Sequence, residues 1–160
     1  MNANIQSLLY DADERYLKSG EIGALKSYTS SLSQRLETYE LLRDQETTIF
    51  QPIANQLLAS FPDQQHDLER SLKNWLAVLR YCTMAMLLNN SEFLERRLLE
   101  WLTDIVRVHR TQAIDTALYE GLEKQIPQIL ADNQYSLLQP FLAQAAASLL
   151  VTDNLAQLSK

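Results

Sequence analysis

Apolar residues recur at intervals of three and four along most of this chain, and this spacing strongly limits how it can fold. One series follows a single helical face: Leu68, Leu72, Trp75, Leu79 and Met86. Later segments repeat the pattern, and no stretch alternates with the period of two that a half-buried strand shows. Only 3 Gly and 4 Pro interrupt the 160 residues, which favours helix almost throughout. The sequence therefore predicts an all-α fold.

Helix-breaking residues divide the chain into roughly eight helices joined by short loops. The most recognisable breaks include Ser19-Gly20, Phe61-Pro62-Asp63, Asn89-Asn90, His109-Arg110-Thr111 and Asp132-Asn133. Asn89 and Glu92 have the spacing of a capping box. Pro127 and Pro140 lie in periodic segments that they are expected to kink or end. The length is that of one domain, over residues 1–160.

Charge and cysteine content exclude several classes of function. The net charge of −6 argues against a surface that follows nucleic-acid phosphates. A single cysteine, Cys82, cannot form an intramolecular disulfide and is typical of a reducing compartment. Neither a secretory signal nor a membrane span is expected. No catalytic triad order, phosphate loop, zinc-binding cysteine pair or dinucleotide fingerprint is present, so we predict no enzyme.

The segment around the first break resembles that of a known family. It reads Tyr10-Asp11-Ala12-Asp13-Glu14-Arg15-Tyr16-Leu17-Lys18-Ser19-Gly20-Glu21-Ile22. This is similar to the N-terminal helical hairpin of phycobiliproteins, the light-harvesting subunits of cyanobacterial phycobilisomes. Segments 74–81 and 111–126 resemble later helices of that family, in the same order. The resemblance covers nearly the whole chain.

The resemblance implies a globin-like phycobiliprotein fold of the allophycocyanin and phycocyanin kind. It places a helical hairpin at residues 1–30 and a body of six globin-like helices at residues 31–151. The polar residues 152–160 are expected to fray.

The resemblance also implies a pigment site at the start of the long central helix, and the chain departs from the family there. Phycobiliproteins carry Cys-x-Arg-Asp, in which the cysteine bonds the bilin, the arginine pairs with a propionate and the aspartate holds the pyrrole nitrogens. This chain has Leu68, Arg70 and Ser71 at those three positions, and the preceding loop is shortened to Asp63 through Asp67. We therefore expect no covalent chromophore. Arg70 remains a contact for a propionate if a bilin binds without a bond.

Cys82 does not replace the missing cysteine. It lies on the same predicted helix as Leu68, about four turns or ~21 Å further along. It also occupies an apolar position, and a buried core thiol is the simpler interpretation.

A homodimer is predicted from the hairpin. The resemblance implies an interface with Asp11, Arg15 and Tyr16, in which Asp11 pairs with an arginine on the partner's central helix. That arginine aligns with Ala77 here, and Arg80, one turn further, is the candidate substitute. A two-helix hairpin cannot bury all of its apolar side chains against itself, which favours a symmetric dimer. These side chains are Leu8, Leu9, Ile22 and Leu25.

Arginines on a later helix form a second candidate surface. Arg96, Arg107 and Arg110 lie within about 60° of one another on an uninterrupted helix, and they could face an acidic partner or the propionates of a pigment. A solvated, salt-bridged face is the alternative, because nearby carboxylates have the spacing to pair with them. These are Glu92, Glu100 and Asp104.

Three functions remain open. The favoured one is a pigment-free phycobiliprotein relative that binds other proteins, as an adaptor, assembly factor or regulator of phycobilisomes or photosystems. It would act in the cytoplasm, at the cytoplasmic face of the thylakoid membrane. The second is a carrier or sensor that holds a bilin without a covalent bond, and the third is a cofactor-free globin-like signalling domain. Neither a metal site nor haem is expected, because His66 and His109 are far apart and lack a carboxylate-rich motif.

Overall fold

Seven helices make up most of residues 3–150 in the computed structural model, which describes that range and the side chains from residue 4 onward. They are α1 (Ala3–Glu14), α2 (Ser19–Asp44), α3 (Glu46–Ser60), α4 (Gln65–Leu88), a continuous helix over 91–109, α7 (Gln112–Ile129) and α8 (Asp132–Leu149). The helix over 91–109 consists of α5 (Ser91–Leu94), a π turn (Glu95–Leu99) and α6 (Glu100–His109). The described residues contain no strand, so the predicted all-α class is confirmed. The predicted tail at 152–160 lies outside the described residues.

Helix α2 runs through residue 30, where the resemblance divides hairpin from body, and the described residues form seven helices where roughly eight were expected. Thr29 donates its hydroxyl to the carbonyl of Leu25 at 2.9 Å. Thr38 does the same to the carbonyl of Gln34 at 2.8 Å. Such bonds satisfy polar side chains inside a helix, and this threonine- and serine-rich stretch is helical throughout. The hairpin and the body share one helix, and the division at residue 30 stays a prediction about domain organisation.

Two asparagines separate α4 from α5, and their roles differ from the prediction. Asn89 ends α4 in the left-handed conformation, with φ of 49°, which asparagine tolerates. Asn90 is the N-cap of α5, and its side-chain oxygen accepts from the Phe93 N–H at 3.1 Å. The predicted capping box from Asn89 to Glu92 is therefore wrong by one residue, because Asn89 caps the preceding helix.

The two prolines of the C-terminal helices have different effects. α7 ends two residues after Pro127, whereas α8 continues through Pro140 to Leu149. Leu138 and Phe141 are buried on either side of Pro140. Their packing outweighs the single helical hydrogen bond that proline removes.

Helix α4 lies at the centre of the body, against α2, α3, α7 and α8. Its buried face includes Leu68, Trp75 and Met86, which belong to the predicted periodic series. Helices α3 and α7 approach closely because Gly121 has no side chain: an added Cβ would lie 2.9 Å from Cγ1 of Ile53. This framework sets the environment of every candidate site residue on α4.

Candidate functional site

The start of α4, where the resemblance places the pigment, is closed. Leu68 is 1% exposed and belongs to the hydrophobic core. Ser71, one turn further, is 0% exposed, and its hydroxyl has no hydrogen-bond partner among the described residues. A leucine cannot form a thioether, and a short neutral hydroxyl cannot pair with protonated pyrrole nitrogens. The residues present therefore do not fit a covalently held bilin.

Arg70 points away from that buried pair and is already engaged. Its Nη1 donates to Nδ1 of His109 at 2.9 Å and lies 3.5 Å from the Asp67 carboxylate. Its Nη2 donates to Nε2 of His66 at 2.9 Å. Arginine offers only N–H donors, so Nδ1 of His109 and Nε2 of His66 each act as acceptors. A propionate would have to compete with these partners for the guanidinium.

Arg70 bridges His66 and His109 and so connects the start of α4 to the end of α6. The sequence separates the two histidines by 43 positions, and only the tertiary fold brings them together. No cluster of three or more histidine, cysteine or carboxylate side chains suited to a metal occurs within the described residues. The same part of the chain has no helix long and apolar enough to cross a membrane.

Asp115 is a buried polar residue that sequence reasoning missed. It is 1% exposed in the first turn of α7. Its carboxylate accepts from Trp75 Nε1 at 3.1 Å and from the Thr111 hydroxyl at 2.7 Å. The positive end of the helix dipole also favours a carboxylate in the first turn. This network fixes α7 against the middle of α4, and the available signal was an aspartate directly after Ile114 in an apolar periodic segment.

Cys82 is a core residue, as predicted from its apolar position. The thiol is 0% exposed, and its Sγ lies 3.5 Å from the carbonyl oxygen of Phe141. Burial raises the pKa of the Cys82 thiol far above its usual range. Since the thiolate is the reactive form, this cysteine is a poor nucleophile for bilin attachment.

The residues of the predicted hairpin interface form a charged clamp within the chain. Arg15 donates to both carboxylate oxygens of Glu21 at 2.9 and 2.8 Å and pairs with Asp11 at 3.3 Å. Glu21 also accepts from the Lys18 backbone N–H at 2.7 Å. The Arg15 hydrogen bond, followed by the Lys18 one, lowers the pKa of Glu21 to about 2. Tyr16 projects from the loop and is 99% exposed.

Arg80, the candidate substitute in the dimer interface, has a partner in its own chain. Its guanidinium donates to both oxygens of Glu46 at 2.9 and 2.6 Å. The pair borders a groove of about 380 Å³ between α2, α4 and α5. Three of its ten lining residues are aromatic, and they are Tyr39, Tyr81 and Phe93. Tyr81 and Phe93 stack with their ring centres 6.0 Å apart.

The arginine face of the helix over 91–109 is interrupted by the π turn. A π turn holds one more residue than an α turn, so side chains beyond it are displaced by about 100° from their uninterrupted positions. Arg96 lies within the π turn and pairs with Glu92. Arg107 and Arg110 have no ion pair among the described residues. The three arginines as one partner surface stay a prediction.

The fold and these sites define an all-α, globin-like protein with an N-terminal helical hairpin. The family model for phycobilisome proteins matches residues 8–150. The chain therefore belongs to the phycobilisome protein family.

Two relatives are similar to it, both named allophycocyanin subunit beta-18. The protein of Pyropia yezoensis is 30% identical over 104 residues, which are 59% of this chain and 62% of the relative. The protein of Aglaothamnion neglectum is 23% identical over 150 residues, or 82% of this chain and 86% of the relative. The first match thus spans less than two thirds of that relative's length.

Proposed function

We propose that this chain is a pigment-free phycobiliprotein homologue that works by protein–protein contact, as an adaptor, assembly factor or regulator of phycobilisomes or photosystems. One observation carries the proposal: Leu68 is buried in the core where the family resemblance requires the attachment thiol. Ser71, one helical turn further along, is buried as well. The family fold is retained while the pigment chemistry is lost, so the surface is what remains available for function.

In this role the chain catalyses no reaction and binds neither a cofactor nor nucleic acid. The proposal also includes action in the cytoplasm, at the cytoplasmic face of the thylakoid membrane. The acidic net charge of −6 supports the exclusion of nucleic acid. A noncovalent bilin carrier remains the competing function, and the titration below separates the two.

Self-association is part of the proposal, with a homodimer as its form. Leu9 and Ile22 on the hairpin are 47% and 41% exposed, and Tyr16 is fully exposed. Fully burying a wholly exposed side chain of this kind stabilises by about 1.5–3 kcal/mol, so Leu9 and Ile22, which are about half exposed, would each contribute about half of that. The aromatic groove beside Arg80 offers an apolar surface of suitable character on a second copy.

The first experiment measures covalent attachment of bilin. The chain is produced together with phycocyanobilin and attachment lyases, and zinc-induced fluorescence is read on a denaturing gel. We expect no signal from the natural chain or from Cys82→Ser. Leu68→Cys serves as the control that restores a thiol at the family position. A fluorescent band from the natural chain that disappears in Cys82→Ser would contradict the proposal.

Titration with biliverdin and phycocyanobilin, beside a pull-down from cyanobacterial lysate, tests the carrier alternative. The adaptor proposal expects specific capture of a phycobilisome or photosystem component and no tight bilin binding. Capture is expected to weaken with salt if Arg96, Arg107 and Arg110 take part. Micromolar bilin binding that is lost in Arg70→Ala, with no protein captured, would instead establish the carrier.

Light scattering at micromolar concentration tests the dimer. We expect Leu9→Glu combined with Ile22→Glu to shift the protein toward the monomer. Leu58→Glu is the matched control, because Leu58 is 50% exposed on α3, outside the hairpin. A natural chain that is monomeric, or a control that dissociates equally, would refute the hairpin-mediated dimer.

A further inference from the structure

A polar cavity lies where the hairpin meets the body. It has a volume of about 650 Å³ and is bordered by α1, α2 and the C-terminal end of α4. Asn4 and Ile5 border it from α1, and Leu88 and Asn89 border it from the end of α4. Helix α2 contributes polar side chains spread over about two turns, and they are Ser27, Tyr28, Ser31 and Arg35. None of the residues that replace the pigment site takes part in this cavity.

Arg35 is the charged residue of the cavity, and it is only 5% exposed. Its Nη1 donates to the carbonyl of Leu87 at 2.7 Å, and its Nε donates to the carbonyl of Ser31 at 3.3 Å. No carboxylate within the described residues forms an ion pair with it. A guanidinium has five N–H donors, so three remain after these two bonds.

The surroundings of Arg35 balance its charge only in part. Leu87 belongs to the last turn of α4, where the helix dipole supplies the equivalent of about half a negative charge. The Tyr28 ring lies 6.0 Å from the guanidinium carbon and adds a weak cation–π contact. A buried charge is costly unless it is paired and fully hydrogen-bonded. No Arg35 nitrogen is buried without a hydrogen-bond partner, so the remaining N–H donors are accessible from the cavity, where they and the remaining positive charge can bind an anionic partner.

We propose that this cavity binds a small oxyanion, with inorganic phosphate as its simplest representative. A guanidinium matches phosphate and carboxylate oxygens in a bidentate geometry and forms strong charge-assisted hydrogen bonds with them. The hydroxyls of Ser27 and Ser31 border the same space and supply further donors. Because α1 also borders the cavity, a bound anion would connect the hairpin to the body.

The test uses calorimetric titration of the full chain with sodium phosphate, against sodium chloride at equal ionic strength. We expect saturable binding with a dissociation constant of about 1 mM or tighter, and a concentration-dependent rise in Tm. Parallel titrations with acetate and succinate identify the class of oxyanion. Phosphate binding alone, or binding of phosphate and carboxylates together, supports the site.

Ser31→Asp is the decisive variant, because it places a carboxylate one helical turn from Arg35 and leaves the arginine in position. The new carboxylate should replace the ligand and weaken phosphate binding by about tenfold or more. Ser30→Asp carries the same added charge on an exposed part of α2 outside the cavity, and it should bind phosphate within about twofold of the natural chain. Arg35→Gln removes the positive charge and should abolish binding.

Ser31→Asp decides the matter even if Arg35→Gln fails to fold. Equal phosphate binding by Ser31→Asp and Ser30→Asp would overturn the proposal. So would a titration of the natural chain that shows no saturable phosphate or carboxylate binding beyond the chloride control. In either of these cases Arg35 is a structural cap of α4 whose free N–H groups face water.

Discussion

The tip of the N-terminal hairpin and the core of the helical body differ in how they place charged and apolar side chains. In the body, Asp115 is buried and satisfied by Trp75 and Thr111, and the apolar side chains around it are almost fully enclosed. In the hairpin, the Arg15–Glu21 clamp is at the surface while Leu9 and Ile22 are exposed. The comparison indicates that stability comes mainly from the body, whereas the hairpin offers surface for contact. The variants below test this contrast in order of expected effect.

The largest effect is expected from Asp115→Ala in the body. Removing the carboxylate leaves the Trp75 N–H and the Thr111 hydroxyl buried without their acceptor. The free energy of unfolding should fall by about 3 kcal/mol, as measured by urea denaturation. Asp132→Ala, at an exposed first-turn aspartate of α8, should change it by less than about 1 kcal/mol. An equal loss of unfolding free energy in both variants would show that the buried carboxylate of Asp115 stabilises the body no more than an exposed one does.

Two glycine substitutions should have opposite signs. Gly121→Ala places a methyl group against the β-branched Ile53, which is itself buried, and should destabilise the body by about 1–2 kcal/mol. Gly23→Ala meets no atom within 4 Å and should stabilise α2 by about 0.5–1 kcal/mol. Thermal unfolding of both variants checks the pair. Stabilisation by Gly121→Ala would show that α3 and α7 can move apart.

Ser71→Ala should stabilise the body by about 1 kcal/mol, because it removes a buried hydroxyl without a partner and improves helix propensity. The control is Ser30→Ala on exposed α2, where only the propensity gain of about 0.5 kcal/mol is expected. Urea denaturation compares the two variants. A loss of stability in Ser71→Ala would mean that the hydroxyl binds a buried water molecule, and the closed start of α4 would need to be reconsidered.

The smallest effect concerns the pH dependence of the hairpin clamp. The pKa of Glu21 is lowered to about 2 in the folded chain, from a usual value of 4.5, by the Arg15 and Lys18 hydrogen bonds. The contribution of Glu21 to the stability of the folded hairpin is therefore fully present above pH 4.5 and is lost as the pH falls toward 2. Hydrogen exchange of the Lys18 amide should accelerate relative to other amides over that range. Glu21→Gln should remove this dependence, and an unchanged profile in that variant would contradict it.

The sequence predicted the fold because helical periodicity reports directly on burial. Leu68, Trp75 and Met86 are buried together on the face that their spacing predicts. The division at residue 30 comes from the family resemblance, and helical periodicity alone does not mark it. Helix α2 continues through it, and the hydroxyls of Thr29 and Thr38 bond back to carbonyls of that helix. The acceptor that a single hydroxyl binds cannot be predicted from the periodicity of the apolar residues.

The candidate sites were only partly predictable. The loss of the attachment thiol could be read at Leu68, since one residue type decides that chemistry. Asp115 and Arg35 were missed because a single polar residue among periodic apolar ones resembles a surface position until the tertiary partners are known. The contact of Arg70 with His109 depends on how the end of α6 packs against the start of α4. This tertiary packing cannot be predicted from the local sequence.

The π turn at Glu95–Leu99 has a consequence for comparing this chain with its relatives. A helix that contains such a turn holds one residue more than an uninterrupted α-helix of nearly the same length. An insertion or deletion of a single residue can therefore be absorbed between Leu94 and Glu100 without a loop. Equivalent positions on either side of this point should accordingly be matched independently, since a gap of one residue can fall inside a continuous helix.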